Sequence, residues 1–88
     1  MQGNELTNAL EAMLFVAGEP VELATLATAT ETDEAQVIEA LDALAQRYDQ
    51  GAHGLCLRRF GRHVQLATRA DYAPCIERML QPVQRQSL

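Results

Sequence analysis

The sequence predicts an α+β, mostly helical domain of the winged helix-turn-helix class: helix, short helix, long helix, two-stranded hairpin wing and C-terminal helix. Two observations lead to this prediction. In the first half of the chain, apolar residues recur at three- and four-residue steps, as on one face of a helix. After Gly54 the apolar positions alternate, as in a strand. A long helix that packs across a short one after a tight turn is the helix-turn-helix arrangement.

The first helix is predicted over residues 5–17. Asn4 is expected to cap its N-terminus, and Gly18 is expected to end it. The apolar spacing places one stripe of side chains toward a core. The residues of this stripe are Leu6, Leu10, Met13, Leu14 and Ala17.

Two further helices follow the break at residues 18–20. The short one is expected from about residue 22 or 23 to residue 28, with Leu23 and Leu26 buried. Thr32 is expected to cap the long one, whose acidic first turn suits the positive end of the helix dipole, and Gly51 is expected to end it. Its predicted core residues are Val37, Leu41, Leu44 and Tyr48, widened by Ile38 and Ala45.

The alternating segment predicts the hairpin wing. Gly61–Arg62 is a glycine-first pair that suits a two-residue type II′ turn, which sets Leu57 opposite Leu66 and Phe60 opposite His63. One face of the first strand is expected to carry Leu55 and Leu57. The other face is expected to carry Cys56, Arg58 and Phe60.

The last predicted element is a helix capped by Asp71 or Thr68, with Pro74 in its first turn and Pro82 as its stop. Its apolar residues are Tyr72, Ile76, Met79 and Leu80. With 88 residues the chain suffices for one domain over residues 1–88, with a core at about 5–81 and a polar tail at 82–88.

Composition narrows the classes of function. The longest apolar run, residues 12–17, is too short to span a membrane, and no signal peptide is expected. Two cysteines suggest no disulfide framework, so a reduced, cytoplasmic protein is expected. His53, Cys56, His63 and Cys75 lack the paired spacing of zinc ligands. Because no phosphate loop or nucleophile elbow is present either, we expect no enzyme, no metal and no cofactor.

Charge argues against a helix that reads DNA. Residues 1–50 contain ten acidic residues and one arginine, a net charge of −9, whereas residues 51–88 carry +4. Carboxylates on the outer face of the long helix would repel phosphates, so a protein partner is favoured over specific DNA binding. A DNA-binding transcriptional regulator is the alternative function. The outer face consists of Gln36, Glu39, Asp42, Ala43, Gln46 and Asp49.

Four arginines in and near the wing allow two interpretations. They could make weak contacts with a phosphate backbone without reading bases. They could equally pair with acidic residues of the same or a neighbouring subunit. These residues are Arg58, Arg59, Arg62 and Arg69.

The first helix is apolar beyond its core stripe, which suggests burial on two sides. Either the C-terminal helix and the hairpin cover this second face, or Phe15 and Val16 help to form a contact between two identical subunits. Phe60, predicted to point away from Leu57, is a second candidate anchor for a partner. The candidate residues for dimer or partner binding are Ala9, Ala12, Phe15, Val16 and Phe60.

Four segments together resemble the bacterial segregation and condensation protein B family. Residues 10–21, Leu-Glu-Ala-Met-Leu-Phe-Val-Ala-Gly-Glu-Pro-Val, resemble the opening helix and turn of that family. Residues 54–58, 64–69 and 71–73 resemble its wing and the helix that follows. The match runs from about Leu6 to Leu80.

This resemblance implies a non-enzymatic adaptor subunit of the bacterial SMC-kleisin (condensin-like) complex. It implies a homodimer that binds the kleisin subunit, segregation and condensation protein A, and through it the SMC ATPase, in chromosome condensation and segregation. Family members usually carry two winged-helix domains in tandem, so the chain is expected to be either the N-terminal part of a longer protein or a short member. It is expected in the cytoplasm, associated with the nucleoid through its partners.

Overall fold

The structure is a computed structural model that describes residues 3–51 and 53–81. Its elements follow the order of a winged helix. The helices are α1 (Asn4–Ala17), α2 (Leu23–Thr30), α3 (Glu34–Asp49) and α4 (Ala73–Leu80), with a 3₁₀ turn at Ala70–Tyr72 before α4. The strands are β1 (Val21–Glu22), β2 (Leu55–Phe60) and β3 (His63–Thr68).

The wing belongs to an antiparallel sheet in the order β1-β3-β2. Leu57 pairs with Leu66 and Phe60 with His63, which confirms the predicted register. Gly61 has a φ of 61°, a left-handed conformation that glycine adopts at no steric cost. The two-stranded hairpin is present as predicted, and the two-residue strand β1, which the sequence analysis did not predict, pairs with β3 and adds a third strand to the sheet.

The core forms around one face of α3, and Val37, Leu41 and Leu44 are fully buried as predicted. Ile38 was wrongly placed in the core: it is exposed, and Ala40 is buried in its stead. Helices α1 and α2 and the sheet pack against this face. The buried apolar residues are Leu6, Leu10, Leu14, Leu26, Ala27, Val37, Ala40, Leu41, Leu44, Tyr48 and Val64.

Helix α1 ends as predicted, but its N-terminus is not capped as predicted. Gly18 is left-handed and donates its N–H to the Leu14 carbonyl, as expected of a residue that ends a helix. The prediction that Asn4 is the N-cap was wrong. Gly3 holds that position with a φ of 52°, and no side chain caps the helix. Ala17 was expected in the core but is exposed, as are its helix neighbours Phe15 and Val16 and the following Gly18.

The junction between α2 and α3 differs from the prediction by a few residues. Helix α2 continues to Thr30 rather than Thr28, and Thr32 does not cap α3. Instead Asp33 accepts the Gln36 N–H at 2.8 Å, while the Gln36 side chain accepts the Asp33 N–H at 3.2 Å. This reciprocal capping box satisfies two N–H groups at the start of α3. The Thr32 hydroxyl is occupied by Thr30, 2.8 Å away.

Helix α4 begins without a side-chain cap, so the prediction that Asp71 or Thr68 caps it was wrong. Asp71 lies in the 3₁₀ turn, which leads directly into α4, and Pro74 stands in the first turn of the helix as expected. No residue of α4 is buried. The predicted stop at Pro82 and the predicted polar tail, residues 82–88, lie outside the described residues.

We predict that Asp33→Ala lowers the free energy of unfolding by about 1 kcal/mol, the usual cost of losing an N-cap. Urea denaturation followed by circular dichroism measures the change. Glu39→Ala, which also removes one exposed carboxylate from α3, is the matched control and should alter stability by less than about 0.5 kcal/mol. Equal losses in the two variants would show that net charge, not capping, controls the stability of α3.

Candidate functional site

One face of α1 exposes large apolar side chains to solvent. Phe15 is 75% exposed and Val16 is 82% exposed. Ala12 is also exposed and Ala9 is half-buried, so the four predicted residues share one helix but differ in burial. Within residues 3–51 and 53–81, neither α4 nor the hairpin covers Phe15 and Val16, which argues against the interpretation that these two elements bury this face. Large apolar side chains left in water mark surfaces that bind other molecules.

A shallow apolar groove runs along the same end of α1. Its volume is about 390 Å³, and it is lined by Ala12, Met13, Val16 and Ala17. Two of the lining residues are alanines, whose small side chains leave room for a larger side chain from a partner. The groove and Phe15 together form what we call the α1 surface: Ala12, Met13, Phe15, Val16 and Ala17.

Phe60, the other predicted anchor, is 47% exposed. Its ring stacks on His63, with 6.5 Å between the ring centroids and 12° between the ring planes. Both residues lie on the sheet face opposite Leu57 and Val64, which contact the core. Phe60 is therefore available for contact, but it belongs to a different face of the domain from the α1 surface.

The arginines of the wing contact the acidic face of α3. Arg59 donates to the Asp42 carboxylate at 2.7 Å, and Arg62 pairs with Glu34 at 2.5 Å. These pairs support the interpretation in which the arginines bind acids of the same chain. Each pair is partly exposed to solvent, so water screens the attraction and the pairs contribute little to stability.

Arg69 completes this set of contacts from the end of β3. It donates to the Tyr48 carbonyl at 2.6 Å and lies 3.4 Å from the Asp49 carboxylate. The fourth arginine, Arg58, has no acidic partner within the part of the chain that the structure describes. Most of the positive charge that could meet a phosphate backbone is therefore already paired with α3.

A buried polar contact that the sequence analysis missed joins α1 to α3. The Tyr48 hydroxyl donates to Glu11, whose carboxylate also lies 3.5 Å from Arg47. Burial, together with the hydrogen bond to Glu11 and its negative charge, raises the pKa of Tyr48 to about 12. The sequence offered one signal for this contact: the apolar stripe of α3 ends at Tyr48. A buried tyrosine hydroxyl needs a hydrogen-bond partner, so a polar residue was to be expected beside it.

Residues 3–51 and 53–81 include the candidate metal ligands and both cysteines. No three His, Cys, Asp or Glu residues cluster there as metal ligands. Cys56 is half-buried, whereas Cys75, which lies on α4, is exposed. Within residues 3–51 and 53–81, no helix is long and apolar enough to cross a membrane.

The fold and its surfaces define a winged-helix domain with an acidic α3 face and exposed apolar helical faces. A family model described as "Segregation and condensation complex subunit ScpB" matches residues 8–88. The chain belongs to this family, which confirms the resemblance found in the sequence.

Two curated relatives are named segregation and condensation protein B. The protein from Desulforamulus reducens is 40% identical over 76 residues, which cover 86% of this chain and 42% of the relative. The protein from Carboxydothermus hydrogenoformans is 36% identical over 77 residues, covering 88% and 42%. The chain thus spans less than half the length of these relatives.

Solved structures show the same fold. A crystal structure described as a dimer of ScpB N-terminal domain complexed with ScpA peptide superposes with a TM-score of 0.81 at 26% identity. The match covers 88% of this chain and 96% of that chain. ScpB from Mycobacterium tuberculosis gives a TM-score of 0.84 at 34% identity, covering 91% of this chain and 50% of that chain.

We predict that the tyrosinate absorption of a Tyr72→Phe variant, in which Tyr48 is the remaining tyrosine, rises with a midpoint near pH 12. The folded state favours the neutral phenol, so this stabilisation is complete below pH 10 and is lost as the pH rises through 12. Glu11→Gln in the same background should lower the midpoint, whereas Glu5→Gln should not. An unchanged midpoint in the Glu11→Gln variant would refute the contact.

Proposed function

We propose that this chain is a non-enzymatic adaptor domain of a bacterial SMC-kleisin complex, which dimerises and binds the kleisin subunit in chromosome condensation and segregation. The exposed α1 surface is the observation that carries the proposal. A monomer that leaves Phe15 and Val16 in water loses the free energy of their burial, whereas an assembly recovers it.

The comparison with the dimeric relative supports two proposed partners, a second copy of this chain and the kleisin subunit. That structure matches this chain over nearly the whole of each, so the two are compared domain with domain. We propose from its description that a second copy and a kleisin peptide are partners of this chain. The SMC ATPase would then be reached through the kleisin, in the cytoplasm at the nucleoid.

We also propose that residues 1–88 form one winged-helix domain with a core at about 5–81. The buried residues extend from Leu6 to Val64, and the elements from α1 to β3 contribute to one core. Single-domain behaviour would appear as one cooperative unfolding transition.

The alternative of a DNA-binding regulator gains no support from the comparisons. The charges oppose it as well, because Glu39 and Asp49 lie exposed on the α3 face that a major-groove reader would present. We expect no shift of random duplex DNA in a gel at physiological salt. A monomer that shifts DNA would favour the regulator over the adaptor.

We predict that the double variant Phe15→Gln, Val16→Gln weakens self-association at least tenfold. Burying one large apolar side chain contributes about 1.5–3 kcal/mol, and 1.4 kcal/mol corresponds to a factor of ten in Kd. Analytical ultracentrifugation over a concentration series measures the dimer Kd. Ile38→Gln removes an exposed apolar side chain from α3 and should leave the Kd unchanged; an equal effect in both variants contradicts the assignment.

We predict that Phe60→Ala weakens binding of a kleisin peptide while the dimer and the fold stay intact. The side chain is 47% exposed and does not belong to the core, so its loss creates no core cavity. Isothermal titration with a peptide from segregation and condensation protein A measures the affinity, and circular dichroism checks the fold. Arg58→Ala, on the same sheet face, separates an apolar from a charged contact. An unchanged affinity for Phe60→Ala would exclude this residue from the binding site.

A further inference from the structure

Strand β2 forms an open edge of the sheet. In the order β1-β3-β2, strand β3 has a partner on each side, whereas β2 pairs only with β3 among the residues that the structure describes. All six residues of β2 pair with β3 in one continuous register without a bulge, so the edge is regular. Regular open edges accept a further strand from another chain.

The register shows which backbone groups of β2 point outward. A two-residue turn closes on a hydrogen-bonded pair, here Phe60 and His63, and such pairs alternate along the hairpin with pairs that are not bonded to each other. The N–H and C=O groups of Leu55, Leu57 and Arg59 therefore point away from β3. In the part of the chain that the structure describes, no backbone group of another segment bonds to them. Three alternate residues of β2 thus offer a donor and an acceptor each to an added strand.

The side chains of β2 define the chemistry of a matching strand. Leu55 and Leu57 lie on the core face and are only half-buried, so apolar residues of an added strand would cover more of them. Arg58 and Phe60 lie on the opposite face and are exposed. Arg58 has no acidic partner among the described residues, and its cross-strand neighbour is the uncharged Gln65. The matching segment therefore alternates apolar residues with an acidic residue beside Arg58.

Charge favours an acidic segment of a partner protein over the strands that this chain itself offers. Two β2 strands paired along their exposed halves would bring Arg58 and Arg59 of both copies side by side, and like charges on neighbouring strands repel. Residues 82–88 include Arg85 and no acidic residue, so they would add positive charge too. The acidic residue of the sheet, Glu22, lies on β1, with β3 between it and Arg58.

We propose that β2 is a docking edge for an extended segment of a partner protein in which acidic and apolar residues alternate. The segment adds an antiparallel strand that bonds to the backbone of Leu57 and Arg59, and its acidic residue lies directly opposite Arg58. Opposite residues that exchange no hydrogen bonds bring their side chains closest together, which strengthens this charge pair. The inference goes beyond the proposed function, because neither self-association nor the α1 surface enters it.

A synthetic peptide tests the docking edge. The probe is acetylated and amidated Thr-Val-Glu-Val-Glu-Val-Thr, titrated into the isotope-labelled full chain and followed by its amide chemical shifts. Saturable shifts should centre on the amides of Leu57 and Arg59, and these amides should exchange with solvent more slowly in the complex. The isomer Thr-Val-Val-Val-Glu-Glu-Thr keeps the composition and charge but loses the alternation. Its Kd should be about threefold higher or more.

Two variants separate the charge of β2 from the charge of the whole chain. Arg58→Ala should raise the Kd of the peptide about threefold or more, because it removes the partner of the acidic residue. Arg78→Ala removes the same charge from α4 and should leave the Kd unchanged. Neither side chain belongs to the core, so both variants fold. Equal weakening in the two variants would reduce the binding to general attraction and overturn the proposal.

Methylation of the peptide nitrogens tests the strand pairing itself. In the proposed register the valines face the backbone of Leu57 and Arg59, whereas the N–H groups of the glutamates point away. A peptide methylated at its valine nitrogens should therefore not bind, and one methylated at its glutamate nitrogens should bind as before. Any other pattern, or an unmodified peptide that does not bind, would overturn docking at β2. The probe contains no kleisin sequence, so the proposed dimer and kleisin contact stand or fall by their own tests.

Discussion

Burial of one face of α3 is the constraint on which the rest of the structure depends. Val37, Leu41 and Leu44 have no exposed surface, and α1, α2 and the sheet all contact this helix. Their removal from water supplies the largest favourable contribution to folding. Because α1, α2 and the sheet all pack against this one face of α3, the positions of α1 and the wing follow from its apolar stripe.

The other face of α3 is polar, and it fixes orientation more than stability. Arg59 and Arg62 reach it from the wing, and Arg69 reaches it from the end of β3. Exposed ion pairs of this kind add little free energy, but several acting together select one position of the wing over others. In a DNA-binding winged helix, arginines at these positions would contact phosphates, but here they form ion pairs with α3. The ion pairs between the wing and α3 thus also argue against a role in reading DNA.

Periodicity predicted the elements that repeat a pattern and failed for those that do not. The α3 stripe and the hairpin register were readable because each spans several repeats. Strand β1 has two residues, too few for any alternation, and it is defined by its pairing with β3. The sequence does contain a signal for the cap at Asp33, because a capping box needs Glu or Gln three residues after the cap. Gln36 stands three residues after Asp33, whereas Ala35 stands three residues after Thr32. The ion pairs of the wing join residues 17 to 28 positions apart, a separation that no local pattern encodes.

The exposed apolar faces of α1 and α4 were harder to predict from the sequence than the core. Sequence spacing identified Phe15, Val16 and Met79 as apolar positions on helices, but an apolar position inside a domain and one at an interface produce the same spacing. The distinction appears only when the fold shows that no element of the described chain covers them. The exposed apolar residues of α1 and α4 lie outside the core. Partners can therefore bind to these residues and leave them while the core around α3 stays folded. An adaptor that joins other proteins needs that separation, since its fold must persist when its partners leave.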